Sequence, residues 1–225
     1  MNSALKVALW SALYFAGHSA TASFRAKDAA AKLVGARNRD GWFRLIYSIT
    51  ALSGLVALFL AARPLPDKKW YHAKGWSLLL TTTLQFIGAV MAFDAVRRVR
   101  TNRLLGGENA LQWRGGNDPQ MPPEGQTPRA DELSDDRDLQ SDGVFALSRN
   151  ALNFAVIPIF CAWPRMTRNY AAFCVVMTSY CIIGSWLSER RMSARYGADW
   201  QNYKRSGVPF LIPSFPKKDA SNDED

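Results

Sequence analysis

The chain has 225 residues, of which 48% are hydrophobic and 21% are charged, and its formal net charge is +9 at pH 7. The length suits one domain of ordinary size. Most basic residues lie beside apolar runs and are typical of membrane-flanking anchors, so the positive charge does not indicate nucleic-acid binding. The three cysteines lie inside apolar runs without Cys-x-x-Cys spacing, which favours small buried side chains and predicts no metal site.

Five apolar segments predict an all-α integral membrane protein with about five transmembrane helices. A helix needs about 20 mostly apolar residues to cross a bilayer. Four segments approach that length, at residues 7–24, 45–62, 75–93 and 169–188. The segment 151–163 is shorter and contains Pro158, but a turn at 164–168 connects it directly to the last span. The pair therefore predicts a helical hairpin whose first helix extends back toward Phe145.

The positions of the basic residues predict an N-terminus outside and a C-terminus in the cytoplasm, because cytoplasmic loops carry an excess of Lys and Arg. The tripeptide at 20–22 also fits a signal-peptidase site after an apolar run. Cleavage there would leave the basic segment 25–39 on the outer face, against the topology rule. The first segment is therefore interpreted as a membrane helix of a multi-pass protein.

The chain divides into four predicted parts. Residues 104–142 contain glycines, prolines and acidic residues but few large apolar groups, so they predict a flexible cytoplasmic linker without catalytic importance. The charged C-terminus predicts a disordered tail. The four parts are residues 1–103 with the first three helices, the linker 104–142, the hairpin and C-terminal segment 143–215, and the tail 216–225.

Charged and aromatic residues collect around the open end of the predicted hairpin. Arg149 enters the fourth helix and Glu189 leaves the fifth, so both are expected at one membrane depth. They are either flanking charges or partners for each other or a charged ligand. Tyr196, Trp200 and Tyr203 recur at helical spacing, which fits an interfacial aromatic belt or a wall beside a cationic ligand.

These residues carry a resemblance to a known superfamily. Glu189, the aromatic residues just named, Gly197 and the stretch Val-Pro-Phe-Leu-Ile-Pro at 208–213 resemble the C-terminal signature of the isoprenylcysteine carboxyl methyltransferase and phospholipid methyltransferase superfamily. The stretch 143–151 is similar to the Gly-x-(Tyr/Phe)-x-x-x-Arg-His-Pro motif of that superfamily. Residues 17–19 and 41–48 resemble its NnrU-like branch. The resemblance covers most of residues 10–215 except the linker.

The resemblance implies S-adenosylmethionine as methyl donor, held between the hairpin and the C-terminal segment near the cytoplasmic face. Arg149 would then face the carboxylate of the donor or organise the site, and Glu189 would accept hydrogen bonds from its amino or ribose groups. The aromatic residues Tyr196, Trp200 and Tyr203 would help to enclose it. The implied acceptor is a lipophilic molecule or a small thiol, carboxylate or amine that enters laterally from the bilayer. Methyl transfer needs positioning more than acid–base groups.

Two candidate catalytic residues depart from the superfamily pattern or lie outside it. Asn150 and Ala151 replace the His and Pro of the motif, and an Asn cannot titrate. This substitution weakens a catalytic-base role at position 150. His18 lies inside the first helix, where it is a neutral histidine bonded to a neighbouring helix, a contact to the substrate, or a haem ligand. The NnrU-like branch includes haem-dependent zeta-carotene isomerases, but the only other histidine, His72, lies in a loop on the opposite face.

The leading hypothesis is thus a membrane-embedded, S-adenosylmethionine-dependent methyltransferase with Arg149, Asn150 and His18 as candidate catalytic residues. The alternatives are an NnrU-like haem-binding protein or isomerase, and a non-catalytic relative that keeps the scaffold. Membrane lipid is the expected surrounding, and the sequence gives no indication of oligomeric state.

Overall fold

The computed structural model describes residues 2–99, 105–116 and 139–214. The predicted tail 216–225 and residues 117–138 of the predicted linker lie outside these ranges. The described part is mostly helical. Its elements in chain order are α1 (Ser3–Thr21), α2 (Phe24–Val34), α3 (Ala36–Ala62), β1 (Lys69–His72), α4 (Trp76–Arg98), α5 (Gly107–Arg114), α6 (Val144–Leu147), α7 (Ala151–Cys161), β2 (Arg165–Thr167) and α8 (Arg168–Arg205).

Three of these helices, α3, α4 and α8, are long and apolar enough to cross a membrane. Helix α7 is a shorter apolar helix of 11 residues and contains Pro158, and α1 is a largely apolar helix of 19 residues. Large apolar side chains such as Leu52, Phe86 and Val175 are exposed along the long helices. Contiguous apolar surface of this kind is typical of helices that face lipid.

Helix α2 and the first part of α3 lie between the first two predicted membrane segments, where hydropathy predicts no membrane helix. Ser23 begins α2 because its hydroxyl accepts a hydrogen bond from the backbone N–H of Ala26. Gly35, with φ of 85°, separates α2 from α3. Helix α3 then begins at Ala36, well before the predicted start at residue 45.

Helices α4 and α7 approach each other closely at Gly88. A Cβ atom at this position would lie 2.8 Å from the carbonyl oxygen of Ala155, so only glycine permits this packing. Gln85 Nε2 donates to the carbonyl oxygen of Ile159 over 3.0 Å at the same interface. On the other side of α7, Asn153 Nδ2 donates to Ser185 Oγ of α8 over 2.9 Å. Interhelical hydrogen bonds and small residues thus fix α7 between α4 and α8.

Two short antiparallel strands accompany the helices and were not predicted from the sequence. Strand β1, between α3 and α4, pairs with β2, between α7 and α8, with Tyr71 opposite Met166 and His72 opposite Arg165. These connections pair because packing of α4 on α7 brings their ends together. We call this side of the molecule the ladder end, and the side that carries residues 143–150 and 189–214 the site end.

The main apolar core lies toward the ladder end, where Val7 of α1, Leu58 of α3 and Phe173 of α8 pack together. Farther along α1, Ser19 Oγ lies 3.2 Å from Tyr180 Oη of α8. Helices α1 and α8 therefore run parallel from the ladder end toward the site end. Both α4 and α8 reach the site end, where α7 begins.

Helix α5 lies within the predicted linker and was not anticipated. Its Trp113 packs edge-on against Trp42 of α3, with ring centroids 5.3 Å apart. Trp113 Nε1 also donates to Asn38 Oδ1 over 2.9 Å. Residues 105–116 are therefore part of the fold, whereas the rest of the linker up to residue 138 lies outside the described ranges.

Candidate active site

The entry to the hairpin is fixed by a carboxylate at the end of α4. Asp94 accepts a hydrogen bond from Arg98 Nε over 2.7 Å and another from the backbone N–H of Val144 over 3.1 Å. Arg98 also pairs with Asp142 just before the hairpin. Gly143, with φ of 56°, makes the turn into α6 between these contacts. The end of α4 thereby determines where α6 and α7 begin.

Residues 208–214 form a strap that runs back across the start of the hairpin; we call them the C-terminal strap. The backbone N–H of Arg149 donates to the carbonyl oxygen of Pro209 over 3.0 Å. Asn150 Nδ2 donates to the carbonyl oxygen of Phe210 over 2.9 Å, and Ser148 Oγ donates to that of Leu211 over 2.8 Å. Three consecutive residues of the hairpin entry therefore hold the strap.

Beneath the strap, Arg149 and Glu189 form an ion pair. Arg149 Nε lies 2.6 Å from Glu189 Oε1, and the two side chains are only 12% and 14% exposed. Arg149 Nη1 also donates to the carbonyl oxygen of Val208. Lys204 Nζ lies 3.5 Å from Glu189 Oε2. A pair this well shielded from water is stable only because both groups find hydrogen-bond partners.

A kink in α8 brings the aromatic residues to this pair. Gly197 has φ of 51° and ψ of −115°, which interrupts the helix and redirects its last turns. Trp200 and Tyr203 are buried with Val208 in one cluster, and Tyr196 packs against it. The Tyr203 hydroxyl donates to the carbonyl oxygen of Phe145. Trp200 Nε1 is buried and has no hydrogen-bond partner among the described residues.

A groove with a volume of about 500 Å³ lies beside this aromatic cluster. Ala146, Asn202 and Ser206 line it together with Tyr203 and Val208. Neither Arg149 nor Glu189 is among its lining residues. The aromatic cluster connects the ion pair to this open groove. The ion pair itself is shielded from water and does not line the groove.

The structure brings together all but one of the predicted site residues. The hairpin entry supplies Arg149 and Asn150, and the end of α8 supplies Glu189 and the three aromatic residues. His18 is the exception, because Tyr47 Oη lies 2.8 Å from its Nε2 and its ring packs near that of Tyr180 on the side of α8 that faces α1. This arrangement matches the interpretation of His18 as a histidine bonded to a neighbouring helix.

Sequence reasoning missed several groups that build the site. Lys204 beside Glu189 was not singled out, although it lies in the same signature region. The ion pairs of Arg98 with Asp94 and Asp142 were also not predicted. The spacing of four residues between Asp94 and Arg98 was the only feature of the sequence that indicated one of them. Among the described residues, no group of three or more His, Cys, Asp or Glu side chains could hold a metal ion.

The chain is similar to curated methyltransferases over about three quarters of its length. It is 25% identical to methanethiol S-methyltransferase 2 of Bradyrhizobium diazoefficiens over 171 residues, which are 76% of this chain and 59% of that protein. It is 26% identical to methanethiol S-methyltransferase 1 of the same organism, over 76% of this chain and 54% of that protein. It is 23% identical to the methanethiol S-methyltransferase of Pseudomonas deceptionensis, over 80% of this chain and 63% of that protein.

The matched part of the chain thus spans between 54% and 63% of the length of these three relatives. No family model matches the chain. No solved structure matches it either. The similarity to these relatives supports the superfamily resemblance, and the long apolar helices agree with a membrane location.

Proposed function

We propose that this protein is a membrane-embedded, S-adenosylmethionine-dependent methyltransferase that acts on a small thiol such as methanethiol. The observation that carries the proposal is the shielded Arg149–Glu189 ion pair, held under the C-terminal strap beside an aromatic cluster. Similarity to relatives named methanethiol S-methyltransferase supports both the reaction and the class of acceptor. An acidic and a basic side chain beside each other suit a ligand that carries both a positive and a negative charge.

The proposed membrane arrangement has five crossings, by α1, α3, α4, α7 and α8, with the last two as the hairpin. The N-terminus is outside and the site end is cytoplasmic, because the basic residues concentrate on that side. Helix α2 and the part of α8 after Gly197 lie at the cytoplasmic interface. This arrangement places Arg149 and Glu189 at the headgroup level, where a water-soluble donor and a membrane-soluble acceptor can both arrive.

The residues at the site end fit the groups that the donor carries. Glu189 Oε2 has Lys204 at 3.5 Å, beyond ordinary hydrogen-bond distance, so this oxygen can accept from a ribose hydroxyl or an amino group. Trp200 Nε1 is a buried donor without a partner in the described chain and can bind an acceptor atom of the ligand. Arg149 and Lys204 suit a carboxylate, and the faces of Tyr196, Trp200 and Tyr203 suit a cation.

S-adenosylmethionine, when bound, supplies a methyl group on a cationic sulfur. The chain positions the reactants and excludes water from them. Asn150 is a positioning residue, since its amide holds the carbonyl oxygen of Phe210 and thereby keeps the strap closed. Asn150 cannot act as a base, so a thiol acceptor reacts as its thiolate, which forms by loss of the thiol proton to water.

No observation on the described residues favours the haem alternative, because His18 Nε2 is already bonded to Tyr47 Oη over 2.8 Å. Absorbance of the purified protein in the Soret region distinguishes this alternative from the methyltransferase.

The test is methyl transfer by the purified full chain in detergent. We expect dimethyl sulfide in the headspace when methyl-labelled S-adenosylmethionine and methanethiol are supplied. Glu189→Gln should lower donor binding, measured by calorimetry, by at least about tenfold, since a hydrogen bond to a charged group contributes about 1.5–3 kcal/mol. Glu108→Gln on α5 is the matched control and should behave like the unmodified chain. Unchanged donor binding in Glu189→Gln, or failure of the unmodified chain to bind the donor, would refute the proposal.

A further inference from the structure

A second polar cluster lies at the site end, on the side of α8 that faces α1 and α3. It consists of His18, Arg44, Tyr47, Tyr180 and Arg191, and we call it the tyrosine–arginine cluster. Its centre is Tyr47, whose hydroxyl lies 2.8 Å from His18 Nε2. The rings of these two residues stack with centroids 4.8 Å apart. The Arg44 guanidinium carbon lies 5.7 Å from the Tyr47 ring centroid.

Among the described residues, the groups that act electrostatically on the Tyr47 hydroxyl are the phenols of Tyr14 and Tyr180 and the guanidinium groups of Arg44 and Arg191. Of these, Arg191 contributes a positive charge for which the described residues supply no carboxylate partner. The interactions that the structure gives Arg191 are electrostatic ones with the phenols of Tyr47 and Tyr180. Its Nε is buried and has no hydrogen-bond partner among the described residues.

The guanidinium group of Arg191 in this position favours the binding of an anion. An arginine shielded from water and not matched by a negative group is costly, especially at the edge of an apolar span. Guanidinium groups bind phosphate and carboxylate oxygens through paired hydrogen bonds. Phenol hydroxyls can donate to the same oxygens. The cluster is therefore built from groups that together bind an oxyanion.

The surroundings of the cluster point to the bilayer as the source of that anion. A Cβ atom on Gly17 of α1 or Gly184 of α8 would meet no atom within 4 Å, so neither position packs against another described element. Helix α2 carries Arg25 and Lys32, and its Leu33 is 84% exposed. A basic amphipathic helix of this kind lies in the headgroup region and attracts anionic lipids.

We propose that the tyrosine–arginine cluster binds the phosphate group of an anionic phospholipid, whose acyl chains lie along the open faces of α1 and α8. This site is separate from the Arg149–Glu189 pair, and the proposal stands whether or not the protein transfers methyl groups. Its role is to fix the lipid-facing side of α8 through Arg191, two residues after Glu189.

The test is titration of the detergent-solubilised full chain with dioleoylphosphatidylglycerol, with bound lipid counted by native mass spectrometry. Arg191→Gln should weaken binding by about tenfold, because a hydrogen bond to a charged group is lost. Arg191→Lys keeps the charge but loses the paired hydrogen bonds, so its affinity should lie between that of Arg191→Gln and that of the unmodified chain. The matched control is Arg190→Gln. Arg190 is exposed, and its guanidinium carbon lies 3.7 Å from the ring centroid of Trp186, which does not belong to the cluster. We expect this control to bind lipid like the unmodified chain.

A competition experiment distinguishes the phosphate group of a lipid from a soluble phosphate ion. If inorganic phosphate displaces the lipid at equal concentration, the site belongs to a soluble anion and the lipid assignment is overturned. Equal lipid affinity of Arg191→Gln and the unmodified chain overturns the site itself, as does an equal loss in Arg190→Gln. Thermal unfolding of each variant in detergent identifies a loss of affinity caused by misfolding, and Arg191→Lys then decides the outcome.

Discussion

Replacing Arg149 by methionine should destabilise the protein strongly, because it leaves Glu189 shielded from water without its main partner. Removing one member of a buried ion pair costs about 3–5 kcal/mol. We expect the lower end of that range for Arg149→Met. Glu189 is 14% exposed and not fully buried, and Lys204 remains 3.5 Å from its other oxygen. The lost bond from Arg149 Nη1 to the carbonyl oxygen of Val208 adds to the effect.

A double-mutant cycle separates the ion pair from these other losses. Arg149→Met, Glu189→Gln and the double variant are unfolded in mixed micelles with increasing sodium dodecyl sulfate, followed by tryptophan fluorescence. The expected coupling free energy is about 2 kcal/mol. The control cycle uses Arg97→Met and Asp94→Asn, whose charged groups lie 3.6 Å apart with Arg97 68% exposed. Its coupling should be below about 0.5 kcal/mol, as for exposed pairs.

A coupling below about 0.5 kcal/mol for the Arg149–Glu189 pair would refute this reasoning, since it would equal that of an exposed pair. An increase in stability of Arg149→Met would do so even more directly. Either result would also remove the structural basis of the proposed donor site, because that proposal depends on shielding of the pair.

Two further substitutions test the parts that hold the site. Asn150→Ala removes the bond to the carbonyl oxygen of Phe210 and should destabilise the strap by about 1 kcal/mol; trypsin should then cleave after Arg205 faster than in the unmodified chain, and an unchanged rate would contradict the role of the strap. Gly88→Ala places a Cβ atom 2.8 Å from the Ala155 carbonyl oxygen and should lower the free energy of unfolding by about 1–3 kcal/mol, measured as above. Gly17→Ala, which meets no atom within 4 Å, is the control and should be neutral.

The apolar segments could be predicted from the sequence because a helix that crosses a bilayer needs a long run of apolar residues, which hydropathy detects. Each of the five predicted segments overlaps a helix, although the ends of the segments and of the helices differ. Helix α2 and the first turns of α3 were missed because interfacial helices mix charged and apolar residues and show no long apolar run. The pairing of β1 with β2 was missed as well, since it depends on which connections the helix packing brings together.

The candidate site residues were predicted from the ends of the hairpin, the helical spacing of the aromatic residues and the superfamily signature, whereas the contacts that position them were not predicted. The strap is held mainly by the carbonyl oxygens of residues 208–211. Backbone atoms are the same in every residue, so the sequence carries no signal for these bonds. His18 was grouped with the catalytic candidates on the resemblance and on its depth in the helix, but its position relative to α8 depends on how α1 packs.

The short ladder of β1 and β2 has a mechanical consequence. It ties the turn between α3 and α4 to the turn between α7 and α8, at the end remote from the Arg149–Glu189 pair. The ladder therefore restrains separation of these helices at that end, whereas at the opposite end the C-terminal strap holds the hairpin entry through hydrogen bonds to its backbone carbonyl oxygens.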